Sequence, residues 1–355
     1  MPLGPHAQPS AITPLDAQFL QHAAWCDEHG APLYGELMRG LADGWRDGGV
    51  VRRLCAPFDG TSPGHAVQLR VLGALHRLVL RGQAPDLAPF CPSVGGTSEP
   101  AGAWEVAAAL LAEHEDWVRT EIRLPPQTNE VGRASALAVL LAAACARTGL
   151  PDVRLLEIGA SAGLNLGVAG FRITGDSFTW GPADAPVRMD GAVRDVPADV
   201  AALAGRVRVT SAQGCDLDPV DATSATGQEW LLSFVWPDHV ERFTRLRAAL
   251  AQAAARPPAV ERAEAGSWLA RRLTEPAPAG VLTVVWHSVM QQYVPDEAWR
   301  RIEHEIDAAR ARMPLAHVAL EPVVLADPRG HGLWLDGEVV GHAQPHGVPT
   351  FWGAW

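Results

Sequence analysis

Residues 155–166, running Leu155-Leu156-Glu157-Ile158-Gly159-Ala160-Ser161-Ala162-Gly163-Leu164-Asn165-Leu166, constrain this chain more than any other stretch. An apolar run, a turn holding two glycines and a second apolar run predict a strand, a tight turn and the opening of a helix. A turn of that kind serves two chemistries. Its backbone N–H groups and helix N-terminus can cradle a nucleotide-like ligand. Gly159 and Gly163 then permit close approach, and Glu157 binds an amine or orders the loop. Alternatively, Gly159-x-Ser161-x-Gly163 holds Ser161 up as a nucleophile on a strained elbow.

The flanking grammar places this turn within a fold. Before position 153 the chain reads as helices at 15–28, 33–47, 65–81 and 104–122, separated by Gly and Pro clusters. Pro125, Pro126 and Asn129 end that region, and Thr128 or Asn129 is expected to cap the next helix. Strands are expected at 153–158, 171–173, 206–210, 259–263, 281–286, 317–320, 332–335 and 338–342, with helices at 162–168, 228–255, 266–272 and 296–313. Asp336-Gly337 signals a two-residue hairpin. The order predicts an α/β fold: a Rossmann-like, doubly wound, mostly parallel sheet with a terminal antiparallel hairpin, preceded by an all-α N-terminal domain. Residues 1–125 read as a helical cap domain and 126–355 as the sheet domain, with an insert at about 176–256.

Composition removes several function classes. All 29 basic residues are Arg, so no Schiff-base lysine, pyridoxal phosphate anchor or P-loop lysine exists. A net charge of -11 without an Arg cluster argues against a nucleic-acid partner. The five cysteines are scattered and form no C-x-x-C pair, which disfavours disulfides and zinc and fits a reduced compartment. Residues 1–13 lack the basic flank and apolar core of a signal peptide. The apolar run 134–146 is too short to span a bilayer and reads as a buried helix. A cytoplasmic location and no membrane partner are expected.

As Glu157-x-Gly159-x-Ser161-x-Gly163, the turn resembles the first motif of class I S-adenosylmethionine-dependent methyltransferases. The resemblance continues along the chain. Val260-Glu261-Arg262-Ala263-Glu264-Ala265 and the helix after it look like the segment that contacts adenine in those enzymes, with Glu264 matching the acidic contact. Residues 281–288 look like their fourth strand, which ends at the catalytic edge, and the closing hairpin is in keeping with their antiparallel last strand. The resemblance implies S-adenosylmethionine as cofactor, held by Glu157, Gly159, Ser161 and Gly163 with Glu264 near the adenine. This chain departs from the pattern at Ser161, where a glycine is usual, and in the ribose-binding acid at the end of the second strand. With that strand read at 171–173, Asp176 is the nearest candidate and Asp190 the next. Gln127-Thr128-Asn129-Glu130-Val131-Gly132-Arg133, 155–166, Trp236-Pro237-Asp238, Trp286-His287-Ser288 and His346-Gly347 together resemble a bacterial family known only as a domain of unknown function. That resemblance spans nearly the whole chain; it implies a methyltransferase-like fold and no particular substrate.

The hydrolase alternative has weaker surroundings. Its elbow normally follows several strands that supply an oxyanion-hole loop, whereas this turn follows the first strand and only Val94-Gly95-Gly96 precedes it. Asp327 and His346 occur in the order a triad needs, which chance alone provides among 13 His and 40 acidic residues. The leading expectation is an S-adenosylmethionine-dependent methyltransferase-like protein acting on an unknown small molecule. A serine hydrolase using Ser161 and a non-enzymatic nucleotide- or metabolite-binding protein stay open beside it.

His287, at a strand's carboxyl end, is the expected general base or substrate ligand. Asn129, Glu130 and Arg133 share a helical face; they either reach the cofactor carboxylate or substrate, with Arg133 as anion partner, or form a capping network. Glu321 reads as a loop cap, and Asp216, Asp218 and Asp221 as turn and cap residues. Trp236-Pro237-Asp238 reads as a lid or, more commonly, a packing tryptophan beside a helix break. His331, His342 and His346 lack metal-ligand spacing, so no metal is expected. The oligomeric state is not legible.

Overall fold

The computed structural model describes residues 14–61, 63–275, 277–323 and 330–353. They form two compact units: 14–128 with 225–244, and 129–224 with 245–353. Residues 225–244, expected within an insert of the sheet domain, thus belong to the helical unit.

The helical unit is built from amphipathic segments. Helix Pro32–Arg46 buries Leu33, Leu37, Met38, Leu41 and Trp45, the spacing of one apolar stripe. Helix Val67–Leu80 is buried along most of its length. The helix expected at 228–255 is two, Ala225–Ser233 and Val240–Ala255. Pro237 explains the break, since it has no N–H to donate and clashes with the preceding turn. Trp236 is buried there, 5.3 Å from both Tyr34 and Trp25, so it packs rather than forming a lid. Asp238 Oδ1 accepts the Leu33 N–H at 3.1 Å.

The second unit is mixed α/β, with a mostly parallel sheet. Its strands are β1 (Asp152–Ile158), β2 (Phe171–Gly175), β3 (Thr179–Trp180), β4 (Val187–Arg194), β5 (Arg208–Asp216), β6 (Val260–Arg262), β7 (Val281–Ser288), β8 (Leu315–Pro322), β9 (His331–Leu335), β10 (Glu338–Ala343) and β11 (Thr350–Trp352). They lie in the order β3-β2-β4-β11-β10-β9-β8-β7-β1-β5-β6. The β9–β10 hairpin turns at Asp336 and Gly337, both at positive φ, as a two-residue hairpin of this sequence requires.

One expectation is corrected by this order. The strand 171–173 is not the neighbour of β1; it lies near the far edge, with six strands between them. The parallel neighbour of β1 is β5, which runs to Asp216. Asp176 and Asp190 are therefore not beside the turn; they pair with Arg194 and Arg188.

Helix Ala134–Thr148 is buried from Ala134 to Cys145 and packs on β4, β7, β8 and β9. With the turn before it, Val131–Thr148 is long and apolar enough to cross a membrane by length and composition, and 78% of it is buried within the fold. Helices Ala265–Arg272 and Asp296–Arg310 cover Leu156, Ile158 and Val285 with Trp268, Leu269, Trp299, Ile302 and Ile306.

Candidate functional site

Strands β6, β5, β1, β7 and β8 run parallel and deliver their carboxyl ends to one edge. Side chains alternate along a strand, so register sorts the residues at that edge by face. Glu157 lies opposite Trp286 on β7 and Gly214 on β5. Asp216, two residues beyond Gly214, shares that face. His287 lies opposite Ala319, so it shares the other face with His317 and Glu321. β9 is antiparallel and begins at this edge, with His331 opposite Pro322. His331 therefore returns to the Glu157 face.

Glu157 is only 2% exposed. Its Oε1 accepts the Trp286 indole N–H at 3.1 Å, and its Oε2 has no hydrogen-bond partner. Burial pushes this carboxyl up to about 8, against the pull of the Trp286 indole and the Asn165 side chain. Beyond it, Gly159, Ser161 and Gly163 all take positive φ, 66°, 52° and 72°. Ser161 is the costly one, because an L side chain rarely adopts that conformation.

Several donors of the turn are engaged within the protein. Ala160 N–H reaches Cys215 O at 3.0 Å, Ser161 N–H reaches Asp216 Oδ2 at 2.7 Å and Leu164 N–H reaches Asn129 Oδ1 at 2.7 Å. The segment expected as a helix at 162–168 is a 3-10 turn, Leu164–Gly170, so this turn does not open an α-helix. Three side-chain atoms here are buried without a partner: the acceptors Glu157 Oε2 and Asn165 Oδ1 and the Ser161 hydroxyl, which can donate or accept. Gly163 answers to packing rather than to ligand approach. A Cβ there would sit 2.5 Å from Val260 Cγ2 and 2.8 Å from Pro258 Cβ. The open side of Gly159 faces Met290, 3.1 Å from where its Cβ would lie.

The other expected residues fall into different roles. Asn129 binds the turn, as just described, while the cap of the next helical segment is Glu130, whose Oε1 accepts the Gly132 N–H at 3.0 Å. Arg133 sends Nη1 to Ser288 O at 3.4 Å and Nε to Pro345 O at 3.3 Å, within electrostatic reach of both Glu157 and His331. Gly132 and Gly347 share a backbone contact too close for a side chain; a Cβ on Gly347 would lie 2.4 Å from Gly132 O. Glu264 caps helix Ala265–Arg272, with Oε1 on Gly266 N–H and Oε2 on Ser267 N–H, each at 2.8 Å. Burial alone raises the Glu264 carboxyl, but the Ser267 and Gly266 donors outweigh it and hold it below its usual value.

His287 is not at an open edge. It is 0% exposed, with Nδ1 2.8 Å from Glu321 Oε1, Nε2 3.0 Å from His317 Nε2 and its ring against Trp299. Glu321 Oε1 also accepts from the N–H groups of Met290 and Gln291, at 2.9 and 3.3 Å, and so anchors the loop that follows β7. Burial, then the charges of His287 and Arg310, hold His317 well below the usual imidazole range. Asp221 Oδ1 accepts from Thr223 N–H at 2.9 Å, a turn role. Ser161 Oγ has no hydrogen-bond partner, and so none of the bases a hydrolase would need. Asp327 lies outside the described residues, and His346 Nδ1 is 3.6 Å from Glu130 Oε2. Among the described residues no three His, Cys, Asp or Glu side chains are grouped to hold a metal.

Asp216 has the turn role expected of it, with Oδ1 accepting the Asp218 N–H at 3.0 Å and Oδ2 the Ser161 N–H at 2.7 Å; its place beside β1 is what the sequence did not show. Its strand carries mixed polar residues and is half exposed over much of its length, so the apolar signal stops short of its end. The sequence matches, over residues 16–352, the family described as an uncharacterized protein conserved in bacteria (DUF2332). No curated protein and no solved structure matches the chain.

Proposed function

Because the chain belongs to the bacterial family DUF2332, whose description carries no reaction, we propose its function from the site itself: an S-adenosylmethionine-dependent methyltransferase-like protein acting on a small molecule. The carrying observation is the pair of buried, unmet acceptors at Glu157 Oε2 and Asn165 Oδ1 beside the unmet Ser161 hydroxyl, in a turn whose Ala160, Ser161 and Leu164 N–H groups are already engaged. Phosphates need donors. An amine and hydroxyls need acceptors, which is what an adenosyl amino acid brings.

The residues fit that ligand. Glu157 Oε2 and Asn165 Oδ1 suit its amine. Asp216, on the same face at the end of the adjacent parallel strand, accepts one N–H on each oxygen and keeps a second lone pair on each for ribose hydroxyls. Leu217 beside it is 72% exposed and offers an apolar face to a ring. Arg133 suits its carboxylate. Glu264 is occupied as a helix cap and is left out of this assignment. The order β6-β5-β1-β7-β8 of contiguous parallel strands supports a Rossmann-like core within the larger sheet. When bound, the cofactor supplies an electrophilic sulfonium methyl; the chain's part is to orient it and to receive a proton from the acceptor.

Calorimetric titration with S-adenosylmethionine and S-adenosylhomocysteine tests the assignment. Binding to the wild type and its loss in Glu157→Gln are expected; no heat with either ligand at millimolar concentration would overturn it.

A further inference from the structure

The sequence directs attention to His287 as the proton acceptor, yet that ring is sealed on the other face of the sheet with both nitrogens engaged. Another histidine stands on the Glu157 face. β9 is antiparallel to β8 and so starts where the parallel strands end, which brings His331 to the carboxyl edge opposite Pro322. Its Nδ1 is buried and makes no hydrogen bond of ordinary geometry, although the Gly330 backbone lies near enough to favour the charged ring. A buried ring nitrogen left bare costs about 1–3 kcal/mol unless something meets it, and such atoms call for an explanation.

We propose that His331 is the catalytic proton acceptor of the site, taking the proton from an O–H or N–H group of a small methyl-acceptor molecule. This rests on the methyltransferase reading of the Glu157 turn. Strands are spaced about 4.8 Å apart, so β1 and β9 are roughly 14 Å apart along the edge. That span would leave room for the amino-acid end of the cofactor at β1 and an acceptor over β7 and β8, with His331 beyond it. In the step, the acceptor's lone pair forms the bond to the methyl carbon. The C–S bond breaks with its electron pair returning to sulfur, and the acceptor's proton passes to His331 Nδ1.

The surroundings of His331 suit a base that is neutral before the step. Burial first, then the Arg133 guanidinium, lower its imidazole below the usual value, while Glu321 on β8 and the Gly330 backbone pull the other way. Glu157 on β1 completes the charged groups of this face near Arg133.

The test uses the full chain labelled with 13C at histidine, with sinefungin, which carries an amine where the transferred methyl sits, and S-adenosylhomocysteine, which carries nothing there. Sinefungin should move the His331 ring resonance and its titration midpoint more than S-adenosylhomocysteine does, while the His287 and His317 resonances stay. His331→Phe, or His331→Gln as a second variant, identifies the resonance by its disappearance. Calorimetrically confirmed sinefungin binding that leaves His331 unmoved would overturn the assignment of this base alone. Absence of binding by both ligands removes the cofactor reading, and this role with it.

Discussion

The two units bury polar groups differently: among the described residues the helical unit leaves two buried oxygens, Gln68 Oε1 and Asp238 Oδ2, without a partner, whereas the sheet unit gathers four such atoms at one edge. In the helical unit, His76 is buried with both ring nitrogens engaged: Nε2 lies 2.9 Å from Ser93 Oγ and Nδ1 3.2 Å from Ser233 O. Arg77 is buried between Glu121 and Glu229, and Arg70 donates to the carbonyls of His65, Ile122 and Arg123. In the sheet unit, the carboxyl edge leaves Glu157, Ser161, Asn165 and His331 each with a buried atom unmet. Closed networks hold a fold together; an open one is incomplete without something else. That difference, more than any single motif, marks the edge of the sheet as the candidate site.

Breaking a closed network should cost the most. Arg77→Met strands two carboxylates in the helical unit and should lower stability by about 3 kcal/mol in a denaturant titration; a loss below about 1 kcal/mol would mean the network is slack. Next comes Gly163→Ala, which combines a strained φ with contact against Val260 and should cost about 2–4 kcal/mol. Unchanged stability there would return Gly163 to the list of ligand contacts.

The open network should respond with the reverse sign. Glu157 is held at about 8 against an ordinary 4.5, so the folded chain binds more protons than the unfolded one between those values. Its contribution to stability is thus present at low pH and lost as pH rises from about 4.5 to 8. Glu157→Gln should therefore raise the melting midpoint of the ligand-free chain above pH 8 by about 2–4 °C, near 1 kcal/mol, while abolishing cofactor binding. In the wild type, an ammonium ligand requires the ionised carboxylate, so affinity should tighten up to about tenfold per pH unit below 8 and level off above it. A flat affinity profile from pH 6 to 9 would separate Glu157 from the amine.

His22 and His76 in the helical unit run the other way. Burial lowers both to about 4 from 6.5, so the stability they contribute is present above 6.5 and lost as pH falls toward 4. Acid should therefore open the helical unit, detectable as faster amide exchange around His76 at pH 5 than at pH 7. The smallest effect is expected at Leu217: Leu217→Ser should leave the midpoint unchanged and weaken S-adenosylhomocysteine binding about fivefold, near 1 kcal/mol.

Much of the framework was legible in the chain because periodicity reports burial locally. The helical segments before position 153, the strands β1, β7 and β8 and the Asp336-Gly337 hairpin all carry strong apolar or turn signals. β4 was missed although it alternates, because Gly191 and a register shift against β2 interrupt it. β11 is three residues long and falls below any sequence threshold. At the site, Glu157 and the turn after it were legible as a unit, as was the turn role of Asp216, while the placement of Asp216 beside β1, the face of His331 and the true environment of His287 were not.

The sequence by itself determined the element types, the tight turn and the presence of Glu157 at a strand end, since each follows from neighbours along the chain. Only the tertiary structure decided which strand lies beside β1, and with it whether Asp216 or Asp176 stands at the turn. It also decided which face each histidine occupies. Strand order and register are set by packing between residues far apart in the chain, and a one-residue shift moves every side chain to the other face. That is why His287 and His331, indistinguishable as letters, end on opposite sides of one sheet.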